Sequence, residues 1–292
     1  MSFDLENLPM ELVKNIISRA PLGKLMMMRK SSKLLCRIVD SEKIPFDFVQ
    51  IHIADQGIHL RVDEDCDVKY SRARNVCMIR NGSTEKRFLN ETPVRMARTD
   101  CGIILPLAKS IKMLRIVATR VFDEFFDPMF PQLPAYEVEV EVNRMDQVLV
   151  LLRKLDPDVI RDVTLACASR RLDRNIFDSA HFLKATKWNM VHLPPIEEDD
   201  LDKFDHFEDF SVHMTGVSRE AVLKIKEKMM SIETLKRCLL RSPVEAINVQ
   251  LMAHVLLESV DDGIVVHKVY VPQFKCIVQI SINLQFIEAI KI

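Results

Sequence analysis

Three histidines, His192, His206 and His213, fall close together in the chain, and the imidazole ring is the side chain most often used to hold a transition metal. The same residues on half-buried strands and helix ends are usually hydrogen-bonded side chains of the fold. The run Glu197-Glu198-Asp199-Asp200 after Pro194-Pro195 has the residue types of a general acid and base pair. It also suits the start of a helix, where carboxylates meet the positive end of the dipole and Leu201, Phe204 and Phe207 supply a buried stripe. We read it that way. Cys167 and His181 would make a nucleophile and its base only if the fold brought them together, and nothing in the pattern does so. Lys224, Lys226 and Lys228 read as a solvated helix face. There is no Gly-rich phosphate loop, with six glycines in all, and no His-Glu-x-x-His, Cys-x-x-Cys or acidic calcium loop. The expectation is a chain with no catalytic residue, no metal and no cofactor.

The elements that must position these side chains are bounded by composition. With 292 residues, 48% hydrophobic and 28% charged, the chain has room for one large or two modest domains of ordinary globular type. A net charge of −1 gives no general attraction to nucleic acid or to an acidic membrane surface. No apolar run reaches the roughly 20 residues that cross a bilayer, and MSFDLENLP lacks a basic start followed by an apolar stretch. Seven cysteines with no Cys-x-x-Cys pair fit reduced thiols. Together these predict a cytoplasmic or nuclear protein that binds neither nucleic acid nor membrane.

The stretch from Leu8 to Ser41 is helical in pattern and more apolar than its size requires. Pro9 suits a helix start, and Leu12, Val13, Ile16 and Ile17 recur at one-turn spacing. Pro21 ends that helix. Leu25, Met26, Met27 and Met28 follow in succession, and four residues at about 100° each sweep most of the way round a helix. Ser31 or Ser32 caps a third helix with Leu34, Leu35, Ile38 and Val39. Such an apolar girdle on a segment of roughly 40 residues implies burial on two sides. The second side is either the rest of this chain or a foreign protein, and pattern alone leaves both open. Lys24, Arg29, Lys30, Lys33 and Arg37 would also suit a helix-turn-helix. The would-be reading helix, however, offers Leu34, Leu35, Ile38 and Val39 rather than polar groups for base edges.

The order Leu8-Pro9, Glu11-Leu12-Val13, Ile16, Pro21-Leu22, Leu25, Arg29, Ser32-Lys33 and Val39-Asp40-Ser41 resembles the F-box, by which substrate receptors attach to the Skp-type adaptor of cullin ubiquitin ligases. Ser31 stands where the motif usually has valine, and Cys36 where it often has an aromatic residue. The resemblance implies that Leu8, Pro9, Leu12, Ile16, Pro21, Leu22 and Leu25 contact the adaptor.

From Pro45 the pattern changes to alternation. Phe46, Phe48, Ile51 and Ile53, a turn at Asp55-Gln56-Gly57, then Ile58, Leu60 and Val62 read as two antiparallel strands, with shorter strands at Val68 to Tyr70 and Val76 to Ile79. Beyond about Asp100 strands and helices alternate. Strands are expected at Ile111–Ala118, Tyr136–Val142, Val159–Ala166, Trp188–Leu193, Phe210–Met214 and Leu235–Leu240. Helices are expected at Met145–Leu155, Ser179–Thr186, Glu197–Phe207 and Arg219–Met230. The strand-to-strand gap, on the order of 25 residues, lies in the leucine-rich-repeat range, though without a strict consensus. Asp261-Asp262-Gly263 is a turn signal, followed by strands at Ile264–Val271, Lys275–Ile282 and Phe286–Ile292.

Ile103-Ile104-Leu105-Pro106, the run Phe204 to Phe210, the helix after Ser218 and Phe286-Ile287-Glu288-Ala289-Ile290 resemble the FTH domain found behind F-boxes in a large group of nematode proteins, which implies substrate recognition. The predicted fold is α+β or α/β: an F-box of three helices at 1–45, a small antiparallel connecting region at 46–100, and an irregular leucine-rich-repeat-like domain at 101–292 closed by a small antiparallel cap. The predicted function is that of a non-catalytic receptor subunit of a Skp-cullin-F-box ubiquitin ligase. Its partners would be the adaptor, through it a cullin, and a protein target of unknown identity. The alternatives are a non-ligase α/β scaffold and an enzyme built on the His and Cys residues above.

Overall fold

Two prolines and a serine open the first three helices, α1 (Met10–Arg19), α2 (Leu22–Ser31) and α3 (Lys33–Ser41). The structure is a computed structural model that describes residues 8–119, 122–242, 247–256, 258, 260 and 264–292, with the backbone alone for 251, 254 and 255. Pro9 and Pro21 stand at the N-cap positions, with φ of −51° and −56°. Their carbonyls accept from Val13 at 3.1 Å and Leu25 at 3.0 Å, so the missing proline N–H falls where no helical partner exists. Ser32 caps α3, its Oγ accepting from the Leu35 N–H at 3.1 Å.

The chain divides into two units, Met1–Glu141 with Val150–Ile160, and Val142–Leu149 with Arg161–Ile292. In the first, β1 (Ile44–Ala54), β2 (Gly57–Val62), β3 (Cys66–Ala73), β4 (Val76–Asn81) and β5 (Thr84–Leu89) form an antiparallel meander. The β1–β2 turn requires Gly57: its φ is +146°, and a Cβ there would lie 2.0 Å from the Tyr70 carbonyl oxygen. Next comes α4 (Pro93–Ile104), capped by Thr92 with Pro93 in its first turn. It buries Ala97, Cys101 and Ile104, and its Asp100 accepts a 2.6 Å hydrogen bond from the Tyr70 hydroxyl. Then follow β6 (Ala108–Ala118), α5 (Phe122–Phe125) and β7 (Ala135–Val142). β6 pairs parallel with β1, Ile51 opposite Ile116, and the strand order is β7-β6-β1-β2-β3-β4-β5.

After α6 (Met145–Leu152), the second unit runs through β8 (Asp162–Cys167), α7 (Ala180–Lys184), β9 (Lys187–Val191), β10 (Asp209–His213), α8 (Arg219–Ser231), β11 (Arg237–Arg241) and α9 (Val249–Leu256). It ends with β12 (Val265–Val271), β13 (Cys276–Ile282) and β14 (Phe286–Lys291). β8 to β11 are parallel neighbours in chain order. β14 pairs antiparallel with β11, followed outward by β13 and β12. Phe182, Trp188, Phe204, Phe207 and Phe210 are fully buried together, Phe182 lying 5.0 Å from Trp188 and 4.9 Å from Phe207 between ring centroids. The run from Phe204 to Phe210 is therefore core.

Strand alternation translates well. In β7 Val138 and Val140 are buried while Glu137 and Glu141 are exposed, and in β13 Val278, Ile280 and Ile282 point inward. The antiparallel sheets at the start and end are larger than expected, because they are margins of mixed sheets. β1 is eleven residues long and a free edge of that length is unfavourable; β6 covers it. A leucine-rich-repeat character is not established. Within the second unit strands β8 to β11 follow one another in order, but the antiparallel β14 closes that run. Residues 46–100 hold β5 and open into α4, neither of which alternation alone had indicated. The Asp261-Asp262-Gly263 turn lies outside the described residues.

Candidate functional site

The helical opening segment carries its apolar residues in two registers. On α1, Val13 and Ile17 are buried, whereas Leu12 and Ile16, also four apart, are 50% and 39% exposed. Residues at i and i+4 share a helix face, so one apolar stripe is split, with one edge in the core and the other in water. α2 repeats the division, burying Leu22 and Leu25 and exposing Met27, and α3 buries Leu35, Ile38 and Val39 and exposes Leu34. Of the residues expected to touch an adaptor, Pro9, Leu12, Ile16 and Pro21 are exposed and Leu8 is half-buried. Leu22 and Leu25, also expected to touch it, are 6% and 0% exposed. They stand three apart on the inner side of α2, and Leu22 borders a cleft lined also by Cys66, Val68 and Ile104. Met27 and Leu34 are outward apolar groups that the motif did not single out; only their burial distinguishes them.

Ion pairs fix the helices to one another. Arg29 grips Asp40 with two hydrogen bonds, 2.6 Å from Nε and 3.2 Å from the second nitrogen. That contact holds the Asp40 carboxyl below its ordinary value. Arg29, one of the basic residues a helix-turn-helix would use on phosphate, is thus committed internally. Lys43 donates to the Pro106 carbonyl just past α4, tying the end of α3 to the sheet region that follows.

The polar residues weighed for catalysis are dispersed. His206 bonds to the Phe182 carbonyl at 2.8 Å and packs on Phe207. His192 and His213 do approach, their rings 6.2 Å apart. Among the described residues no group of three or more His, Cys, Asp or Glu side chains is arranged to hold a metal. The acidic run opens a 3-10 helix at Glu198–Phe204, not an α-helix. Asp200 is buried between Arg174 at 3.0 Å and Lys203 at 3.2 Å, and Glu198 accepts from the Ser218 N–H and hydroxyl at 2.8 and 2.7 Å. The lysine face is also not simply solvated: Lys228 is buried, pairing with Asp202 at 2.8 Å and with Asp205. Helical spacing sets Lys224 and Lys228 on the side facing these aspartates. Cys167 accepts from the Ser169 N–H at 3.4 Å, and burial pushes its thiol up, the wrong direction for a nucleophile.

The protein therefore has a three-helix module with an outward apolar edge, followed by mixed α/β structure. Residues 5–47 match the F-box domain and residues 118–256 match the FTH domain. The chain belongs to the F-box plus FTH family. The F-box span takes in α1 to α3, and the FTH span runs from the end of β6 through α9. Of the stretches carrying the FTH likeness, Phe204 to Phe210 and the helix after Ser218 fall inside the match; Ile103 to Pro106 and Phe286 to Ile290 lie outside it. No curated protein and no solved structure matches the chain. The F-box carries a general role in substrate recognition by Skp-cullin-F-box ubiquitin ligases and in binding a Skp-type adaptor and, through it, a cullin. F-box proteins are generally non-catalytic adaptors of substrate. Among the described residues no helix is long and apolar enough to cross a membrane.

Proposed function

We propose that this F-box and FTH protein is a substrate receptor of a Skp-cullin-F-box ubiquitin ligase, acting inside the cell. The module at 1–45 docks the adaptor through Leu8, Pro9, Leu12, Ile16 and Pro21, with Leu22 and Leu25 holding α2 in place beneath. The chain at 46–100 connects, and the α/β domain at 101–292 presents the target, its in-order parallel strands serving as a repeat-like platform. The observation that carries this reading is the split stripe on α1: Leu12 and Ile16 remain open to water while Val13 and Ile17 are buried. An apolar edge left exposed on an F-box is surface awaiting a partner. No side chain here need make or break bonds, since holding a target beside a charged ubiquitin-conjugating enzyme raises the effective concentration of the reacting groups.

The test is capture of a purified Skp-type adaptor by the full chain and by a Leu12→Asp, Ile16→Asp variant. Capture by the wild type and its loss in a variant that unfolds at the same temperature support the receptor reading. Absence of capture by the folded wild type would leave the non-ligase scaffold.

A further inference from the structure

Strand register decides which side chains share the outer face of the second unit's sheet. His213, Arg241 and Phe286 stand side by side across β10, β11 and β14, and Ser211, Leu239 and Glu288 form the next row. Asn189 on β9 is in register with Ser211. The opposite face of these strands is apolar and buried, with Phe210, Val212, Cys238, Leu240 and Ile287. The outer face, by contrast, holds polar atoms that are buried and unmatched. Asn189 Oδ1, Ser211 Oγ and His213 Nε2 have no hydrogen-bond partner among the described residues, nor has Ser242 Oγ just past the end of β11. Ser211 and Ser242 are only 5% and 8% exposed. Unmatched buried polar groups are destabilising and few in native folds, so several on one face mark a surface shaped for a polar ligand.

A cavity of about 660 Å³ opens on this face, lined among others by His213, Arg241, Ser242, Leu239 and Phe286. Arg237 also borders it but is engaged, 2.9 Å from Glu288 and 3.7 Å from Asp209. Arg241 has no carboxylate partner among the described residues. The imidazole of His213 is held below its ordinary value, first by burial and then by the neighbouring Arg241; the Arg241 guanidinium is the group that favours an anion here. Glu288 in the same cavity opposes a dianion and leaves room for a single negative charge.

Resting on the reading of the α/β domain as the part that presents targets, we infer that this cleft binds a carboxylate of a peptide segment. Arg241 and Ser242 donate to its oxygens, and Leu239 and Phe286 receive an apolar side chain next to it. The carboxylate belongs either to an acidic side chain or to a free C-terminus.

A library of synthetic eight-residue peptides, with free and with amidated C-termini, is screened against the purified full chain. Selected peptides are then titrated by fluorescence polarisation against wild type, Arg241→Gln, Arg241→Lys and Ser242→Ala. The expected selection is an acidic group beside an apolar residue, with a loss of about tenfold or more in affinity for Arg241→Gln and a smaller one for Arg241→Lys. Sensitivity to amidation assigns the carboxylate to the C-terminus, and insensitivity assigns it to a side chain. Selection of no peptide, a preference for phosphorylated residues, or equal affinity in Arg241→Gln overturns the inference. Adaptor capture is measured on the same preparations: its failure in the wild type removes the ligase reading and leaves the peptide result standing.

Discussion

Replacing Leu12 by alanine and, separately, Leu25 by alanine separates docking from folding within one helical module. Leu25 is 0% exposed, and truncating a fully buried leucine costs roughly 2–5 kcal/mol of stability. In a unit of this size each kcal/mol lowers the unfolding midpoint by about 2–4 °C. Leu12 is 50% exposed, so its truncation should leave the free chain within about 0.5 kcal/mol of wild type. Its effect appears on binding. Full burial of a leucine is worth roughly 1.5–3 kcal/mol; the exposed half is then worth about 0.8–1.5 kcal/mol, roughly four- to twelvefold in Kd. Isothermal titration against a purified Skp-type adaptor reads the second quantity, and scanning calorimetry of the free chain reads the first. Leu12→Ala should weaken binding with little change in midpoint, and Leu25→Ala should do the reverse at a temperature where it remains folded. If Leu12→Ala binds like wild type while folded Leu25→Ala does not, the inner side of α2 must open to meet the adaptor, and the argument from the exposed edge is wrong.

Three further outcomes are expected. The Asp40 carboxyl is held below its ordinary value by Arg29, so the pair supports the fold above the ordinary aspartate range and that support is lost as the pH falls through the lowered value. Asp40→Asn should therefore lower the midpoint slightly at neutral pH, by less than about 1 kcal/mol for a pair this exposed, with the two melting curves converging in acid. Ser32→Ala removes the cap of α3 and should cost about 1 kcal/mol in a urea titration; an unchanged midpoint would deny the cap its role. Burial pushes the Cys66 thiol up to about 11 and raises Cys101 and Cys238 as well, while Cys36 and Cys276 are only half-buried. Mass mapping after brief iodoacetamide treatment at mildly alkaline pH should find Cys36 and Cys276 modified first.

Much of this was readable before any coordinates, where the signal is local. Pro9, Pro21 and Ser32 each constrain the backbone at their own position, so the starts of α1, α2 and α3 follow from residue type. The strict alternation from Tyr136 to Val142 marks β7 because a pleated strand turns successive side chains to opposite faces. The cap signal of Thr92-Pro93 was also present and announces α4, but the alternating stretch before it drew that helix into a strand region. β5 (Thr84–Leu89) has no buried residue, and without an apolar face it leaves no periodic trace.

What chain order and spacing determined about this protein are the starts of its first three helices, its strand periodicity, the order of F-box and FTH regions, and the existence of an apolar surplus in the first forty or so residues. Only the tertiary structure decided which side of each stripe is covered, that β1 pairs with β6 as well as β2, that Asp200 and Lys228 are buried in ion pairs, and that His213, Arg241 and Phe286 stand in one row. The reason is physical. Dihedral preference and periodicity act over a few neighbouring residues, whereas register and burial depend on partners tens of residues away, and a stripe wide enough to be shared does not say which of its two edges meets the core.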